Sequence, residues 1–329
     1  MWPLLKKRIT IDNPKEKIVN IEKISIEQIE KLDCAFTHGG VFHSDDVFSA
    51  ALLKIINPDI KIIRGFKVPD NFAGLVFDIG GGAYDHHQMD NEIRENGIPY
   101  ASFGKLWRDL GPELIGEQEA EKFDHSIVQP LDYTDNTGEK NLLSSMISSY
   151  NPTWDDTVNS DDHFKEALHC AVKYIQNKIK SYQSKERAKA IVEKALDSME
   201  ENGIVVLPKF APWSDTLIPT KAQLVIFPSQ RGGYNLQVIS KSFQNREPRV
   251  NLPERWAGQK EEVLRNEIPE LNFCHANRFL AGFDTLEGAQ NGAMIAIEET
   301  RKLSIGQGKI GIYKLVKGRL RKLLEIFHF

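Results

Sequence analysis

Cys34-Ala35-Phe36-Thr37-His38-Gly39-Gly40-Val41-Phe42-His43-Ser44-Asp45-Asp46 decides how the chain is read. Its first four residues form an apolar run that reads as a β-strand, cut off by the turn His38-Gly39-Gly40. A helical pattern follows from about Asp45 to Ile56, with apolar Val47, Phe48, Ala51, Leu52 and Ile55 on one face. It stops at Asn57-Pro58, because proline disfavours helix in the residue before it. The junction between strand and helix therefore holds His38, His43, Asp45 and Asp46 within nine positions. In an open α/β sheet, ligands bind outside the carboxyl ends of the strands, where such junctions lie.

Working outward, Ile60 to Ile63 reads as a second strand and Leu75 to Ile79 as a third. The third carries Asp78 near its end and runs into Gly80-Gly81-Gly82. Seven residues after Asp78 come Asp85-His86-His87, and the glycines let the backbone turn sharply enough to bring both acidic positions into one cleft. Strands and helices at such short intervals predict the α/β class with a mainly parallel sheet. Residues 102–150 read as mostly helical, and the polar stretch 151–162 as a boundary loop. A helical connector covers 161–200, with Lys185, Glu186, Arg187 and Lys189 on its solvated face. A second, smaller α/β unit occupies 201–303: strands near 203–207, 223–227 and 234–240, a loop with Pro248 and Pro253, then helix, strand and helix. The predicted division is an accessory segment 1–31, a first domain 32–160, the connector 161–200, a second domain 201–303 and a basic tail 304–329. Between Lys309 and Phe329 the tail sets six Lys/Arg against Glu325, which reads as a terminal helix with a solvated basic face.

The bulk composition narrows the function class. At 329 residues the chain accommodates about two domains. With 41% hydrophobic and 27% charged residues, it is neither collagen-like, disordered nor disulfide-rich. The formal charge of −4 means that any nucleic-acid contact comes from a local basic patch. Cys34, Cys170 and Cys274 are scattered and odd in number, which argues against a disulfide framework and for a reducing, cytoplasmic compartment. There is no C-x-x-C pair for a thiolate zinc site. No run approaches the ~20 apolar residues of a membrane span, so a soluble protein without membrane contact is expected.

Electrostatics explains why the two His/Asp stretches point to metal. Carboxylates converging at ~4 Å repel by about 1 kcal/mol per pair in water, and by more where solvent is excluded. Such a cluster persists only when protons or cations neutralise it. Mixed imidazole and carboxylate ligation suits manganese, iron, cobalt or zinc better than calcium. A strand-end carboxylate can bridge two ions about 3.5–4 Å apart, an arrangement that clamps phosphate. Each residue also has an ordinary role: a lone Asp at a helix start is usually an N-cap, and a lone His is usually structural. The convergence brings a metal site level with those ordinary roles, because four of the nine histidines fall in two short segments, both at strand ends.

The stretch Thr37 to Asp46 resembles the opening signature of the melanocyte-proliferating-gene (Myg) family, Thr-His-x-Gly-x-Phe-His-x-Asp-Glu, with Asp46 in place of its Glu. Tyr84-Asp85-His86-His87-Gln88 resembles the second signature. Further matches are Asp132-x-x-Asp135-Asn136, Ala211-Pro212-Trp213, Gln237-Val238-Ile239-x-Lys241-Ser242, Pro253-x-x-Trp256 and His275-Ala276-Asn277-x-Phe279-x-x-Gly282, together covering about 34–301. The family looks like a branch of the Asp-His-His (DHH) phosphoesterase superfamily. That resemblance implies a metal-binding catalytic domain followed by a substrate-binding domain. It implies one metal held by His38 and His43 with Asp78 bridging, and a second held by Asp45, His86 and either Asp132 or Asp135. His87 looks like a catalytic residue that stabilises phosphoryl charge, and Asp85 like a partner that orients a histidine. Lys241, Arg246, His275 and Arg278 are candidates to grip substrate phosphates. The implied cofactors are two divalent ions, manganese first, with magnesium, zinc or cobalt as alternatives. The implied activity is a phosphodiesterase, a 3′-to-5′ exonuclease on single-stranded RNA or short oligonucleotides, by in-line attack of water on phosphorus. A second reading keeps the site for a small phosphate ester, cyclic dinucleotide or pyrophosphate. A third is a non-catalytic, metal-stabilised RNA-binding protein.

Overall fold

A computed structural model describes residues 23–89 and 92–303. The basic tail 304–329 and most of the accessory segment 1–31 lie outside the described residues. The chain divides into two compact units, at Gln183 and Ser184. That division falls inside one helix, Ser160–Asp197, which covers nearly all of the stretch read as a connector.

The first unit is α/β, as the sequence predicts. It runs α1 (Ile26–Glu30), β1 (Cys34–His38), α2 (Ser44–Ile56), β2 (Lys61–Gly65), β3 (Leu75–Val76), α3 (Ser102–Ile115), α4 (Glu117–Phe123), a π-helical turn (Asp124–Val128), α5 (Gln129–Thr137), α6 (Leu142–Ser148) and α7 (Ser160–Asp197). Its three strands are all parallel, in the order β2-β1-β3. Ala35, Phe36 and Thr37 of the central strand are fully covered, as expected for a parallel sheet with helices on its faces. Gly39 and Gly65 continue the β1–β2 pairing beyond the strand end: Gly39 N–H donates to Gly65 O at 2.9 Å. A Cβ on Gly39 would come within 3.3 Å of Gly65 Cα, so the close approach suits glycine. α2 is buried over ten consecutive residues from Ser44 to Leu53, and with α3 it forms the body of one hydrophobic core. Residues 23–31 belong to that core rather than standing apart from it. Ile24 and Ile29 are fully buried there, and Ser25 and Gln28 form a capping box for α1.

The second unit has a five-stranded mixed sheet in the order β4-β5-β6-β8-β7. Its strands are β4 (Ile204–Val206), β5 (Leu224–Pro228), β6 (Tyr234–Val238), β7 (Leu271–Cys274) and β8 (Leu280–Phe283). Only β4 and β5 are parallel; the other pairs are antiparallel. Short α8 (Ser214–Leu217) and α9 (Glu261–Glu267) and the helix over 286–303, α10, complete it. Alternation along the strands feeds two cores. Leu224, Ile226, Leu236, Ala281 and Phe283 face α9 and α10, whereas Val205, Val225 and Ile239 face Ala188, Val192 and Trp213. β8 was not anticipated. The β7–β8 hairpin turns at Ala276-Asn277-Arg278, where Arg278 sits in the left-handed region at φ 56°. No glycine or proline marks that turn, so one strand was read where two pair.

Candidate metal centre

The strand order creates the site. From the central β1, the chain crosses to β2 on one side, while β3 lies on the other. The diverging connections leave a crevice beyond the carboxyl ends of β1 and β3. His38 ends β1, and Asp78 lies two residues past β3. Asp78 adopts φ 58°, a left-handed conformation that Asp and Asn enter more readily than most residues. Its N–H donates to Tyr84 O at 2.9 Å, which closes the loop between them. Gly80 and Gly81 continue in positive φ, and Gly81 N–H donates to Asp85 Oδ2 at 2.7 Å. The glycine turn thus folds Asp85-His86-His87 back over Asp78, as the sequence reading expected of it.

The resulting distances are short. His38 Nε2 lies 3.2 Å from Asp78 Oδ2 and 3.3 Å from Asp46 Oδ2. His86 Nδ1 is 3.2 Å from Asp78 Oδ1, and its Nε2 is 2.8 Å from Asp135 Oδ2. His87 Nδ1 is 2.8 Å from Asp85 Oδ1. Among the described residues, three sets offer ligand atoms within 4.8 Å of one another: Asp78, Asp85, His86 and His87; His38, Asp46 and Asp78; Asp45, His86 and Asp135. Asp78 and His86 each belong to two sets, so the sets form one connected cluster.

Each residue named from the sequence has a definite place. His38, Asp45, Asp78, Asp85, His86, His87 and Asp135 come together. His43 stands at the edge, 60% exposed, with Nδ1 3.8 Å from Asp135 Oδ1, and it enters none of the three sets. Asp132 points elsewhere: its carboxylate accepts from Arg94 at 2.7 Å and from Gly104 N–H at 3.1 Å. Of the two acids on α5, Asp135 reaches His86. Asp45 has a second duty, since its two oxygens accept from Ser102 N–H and Phe103 N–H and so meet the N-terminus of α3. Lys241, Arg246, His275 and Arg278 all lie in the second unit. Lys241 pairs with Glu247 at 2.8 Å, and His275 Nδ1 accepts from Asn277 N–H at 3.0 Å.

Three contributors escaped the sequence reading. Asp46 is counted in the sequence junction and reads as a helix-start acid and a replacement for a family Glu, not as a ligand, yet its Oδ2 faces His38 while its Oδ1 accepts from His43 N–H at 2.8 Å. Ser102 Oγ lies 2.7 Å from Tyr84 O and 3.3 Å from Asp78 Oδ1, and nothing in its sequence surroundings marks it. Buried Lys105 donates to Asp85 O at 2.8 Å, behind the loop.

The donor set fits divalent cations. Asp45 and Asp46 are fully buried and Asp78 nearly so. Burial pushes the Asp45 carboxyl well up, and nearby Asp78 and Asp135 push it further. Burial likewise raises Asp46 to about 7, against the pull of His38. Burial alone would lower His38 and His86, but their carboxylate partners outweigh it and hold them at about 9 and about 10. Burial would raise Asp78, yet hydrogen bonds from His38 and His86 bring it below the usual carboxylate range. Without a cation, then, protons carry the neutralisation. Asp46 Oδ2 is also buried without a hydrogen-bond partner, an oxygen aimed at a site that hydrogen bonding leaves unfilled. Beside the cluster is a cleft of about 430 Å³, lined by His38, Val41, His43, Asp78, Asp85 and His87 among others.

An α/β unit that gathers imidazoles and buried carboxylates at its parallel strand ends has the makings of a divalent-metal enzyme. Residues 34–297 match the family model MYG1_exonuc, described as an uncharacterised protein family (UPF0160), and the chain belongs to that family. It is 28% identical to the MYG1 exonuclease of Mus musculus, over 80% of this chain and 84% of that one. To the MYG1 exonuclease of Homo sapiens it is 28% identical, over 80% and 85%. To the MYG1 protein of Dictyostelium discoideum it is 26% identical, over 81% and 97%. No solved structure matches the chain.

Proposed function

We propose that this protein is a metal-dependent phosphodiesterase that removes nucleotides from one end of single-stranded RNA, in the 3′-to-5′ direction. The observation that carries the reading is the sharing of Asp78 and His86 between adjacent ligand sets, which suits a pair of ions rather than one. The MYG1 exonucleases to which the chain is similar supply the polynucleotide substrate. His38, Asp46 and Asp78 would hold one ion, and Asp45, His86 and Asp135 the other; manganese is the ion we favour for this donor set. Bound divalent ions polarise the phosphoryl oxygen and make water acidic near neutral pH.

The chain's own residues do the remaining work. Asp85 fixes the His87 ring through Nδ1 and so sets its exposed edge beside the cleft where a phosphoryl group would lie. Ser102 and the α3 N-terminus hold Asp45 and Asp78 in place. We further propose kinship with the Asp-His-His superfamily. We propose too that the division read from the sequence separates catalytic from substrate-binding work, with Lys241, Arg246, His275 and Arg278 meeting phosphates. A cytoplasmic setting, where the unpaired Cys34, Cys170 and Cys274 stay reduced, completes the reading.

End-labelled single-stranded RNA tests this directly. Manganese should drive release of nucleoside monophosphates, chelation should stop it, and Asp78→Ala should lower the rate by 100-fold or more. Cleavage by Asp78→Ala at the parental rate would refute the assignment.

A further inference from the structure

Among the described residues, the second unit leaves half of one sheet face uncovered. Its α9/α10 side is covered throughout, but on the opposite side the packing on Ala188, Val192 and Trp213 involves β4 and β5. Beyond them, Asn235 on β6, Leu280 and Gly282 on β8 and Phe273 on β7 line a concavity of about 700 Å³. Phe210 and Phe227 wall one side, with ring centroids 5.3 Å apart in an edge-to-face arrangement. The tip of the β5–β6 hairpin brings Arg231 to the mouth.

Three features narrow the ligand. Phe210 and Phe273 are 54% and 46% exposed, although burying either ring would be favourable in water. Polar groups with both donors and acceptors, from Ser229, Gln230, Asn235 and Asn272, lie beside those rings. In a chain with 46 acidic residues, the described lining contains a guanidinium and no carboxylate. Ring faces take bases, amides take base edges, and a cation without competing acids takes phosphate. Gly282 keeps the floor low: a Cβ there would meet Asn272 Oδ1 at 2.7 Å and Phe273 Cβ at 3.3 Å.

We infer that this open face is a stacking platform for the bases of a single-stranded nucleic acid, with Phe210 and Phe273 as ring contacts and Arg231 on the backbone. The inference builds on the proposed nuclease function but concerns binding, so the two can fail separately.

The test is fluorescence anisotropy of the full chain with a labelled 12-nucleotide oligouridine, in chelator so that no cleavage occurs. Phe210→Ala and Phe273→Ala should each weaken binding about 5- to 150-fold, the range for loss of one base–aromatic stack. Phe273→Trp should bind as the parent does, and Phe273→Leu, which keeps an apolar side chain, should bind as weakly as Phe273→Ala. Arg231→Ala should lower the salt slope by about one. Trp154→Ala, which removes a still more exposed ring in the other unit, should bind like the parent. Binding by the Phe210/Phe273 double alanine variant within twofold of the parent would overturn the platform, as would equal loss in Trp154→Ala. If the parent binds with this pattern yet releases no nucleotide with any divalent ion, the nuclease reading falls and the platform stands.

Discussion

Asp46 shows how one side chain can be a helix cap and a ligand candidate together. It occupies the third position of α2, where a carboxylate reaching back to the N-cap N–H is an ordinary capping-box partner. That ordinary reading is why the sequence did not single it out. Asn keeps the capping oxygen and loses the charge, so Asp46→Asn separates the two roles. At pH 8, above its raised pKa of about 7, the buried carboxylate is held charged at a cost that Asn removes. The metal-free variant should therefore melt no lower than the parent. Its affinity for manganese should fall at least about tenfold in calorimetric titration. Unchanged affinity would remove Asp46 from the donor set. The choice between Asp132 and Asp135 was similarly open in the sequence. Residues three apart on a helix share much of one face, and the fold separates these two by holding Asp132 on Arg94 and Gly104 while Asp135 meets His86.

At the scale of elements, the seam between α3 and α5 turns on that same arginine. Arg94 donates to Asp132 and to Asp124 of the π-helical turn, while Asp132 also accepts from Gly104 of α3. The pair is nearly sealed, with side-chain exposures of 6% and 0%. Removing one partner strands a buried charge, so Arg94→Leu should destabilise the fold by about 3–5 kcal/mol. Arg94→Leu with Asp132→Leu should recover most of that loss, readable from denaturant midpoints of the four corners of the cycle. Additive losses would mean that the pair is not coupled. Gly104→Ala attacks the seam sterically, because its Cβ would fall 1.9 Å from Asp132 Oδ2. It should cost about 1–3 kcal/mol, the usual range for overpacking. The elements themselves were largely legible. β1, α2 and the first strands of the second unit carry continuous apolar runs or a clear helical period. What sequence could not show were features fixed by distant partners: the β7–β8 turn at Arg278, the long-range cap that Asp45 gives α3, and the Arg94 clamp from a loop about 40 residues before Asp132.

For the molecule as a whole, the cluster ties stability to pH and metal together. The raised acids, Asp45 and Asp46, bind protons more tightly in the folded than in the unfolded chain. Both penalise the metal-free fold as pH climbs above the ordinary carboxylate range, and Asp46 goes on doing so up to about 7. The raised histidines act in the same direction. Their pairing with carboxylates stabilises the fold below the unfolded value near 6.5, and that contribution fades as pH rises through about 9 and about 10. Asp78 and Asp85 are lowered, so their contribution is lost only in acid and does not oppose this trend above pH 6. Metal-free protein should therefore melt several degrees lower at pH 9 than at pH 6. Cations need the same oxygens and nitrogens unprotonated, so their binding releases protons and tightens with pH. Manganese should raise the melting temperature more at pH 9 than at pH 6. Calorimetric titrations in buffers of different ionisation enthalpy should report net proton release at pH 7. Equal manganese stabilisation at both pH values, with no protons released, would mean that the buried carboxylates and imidazoles are not the groups that hold the ion.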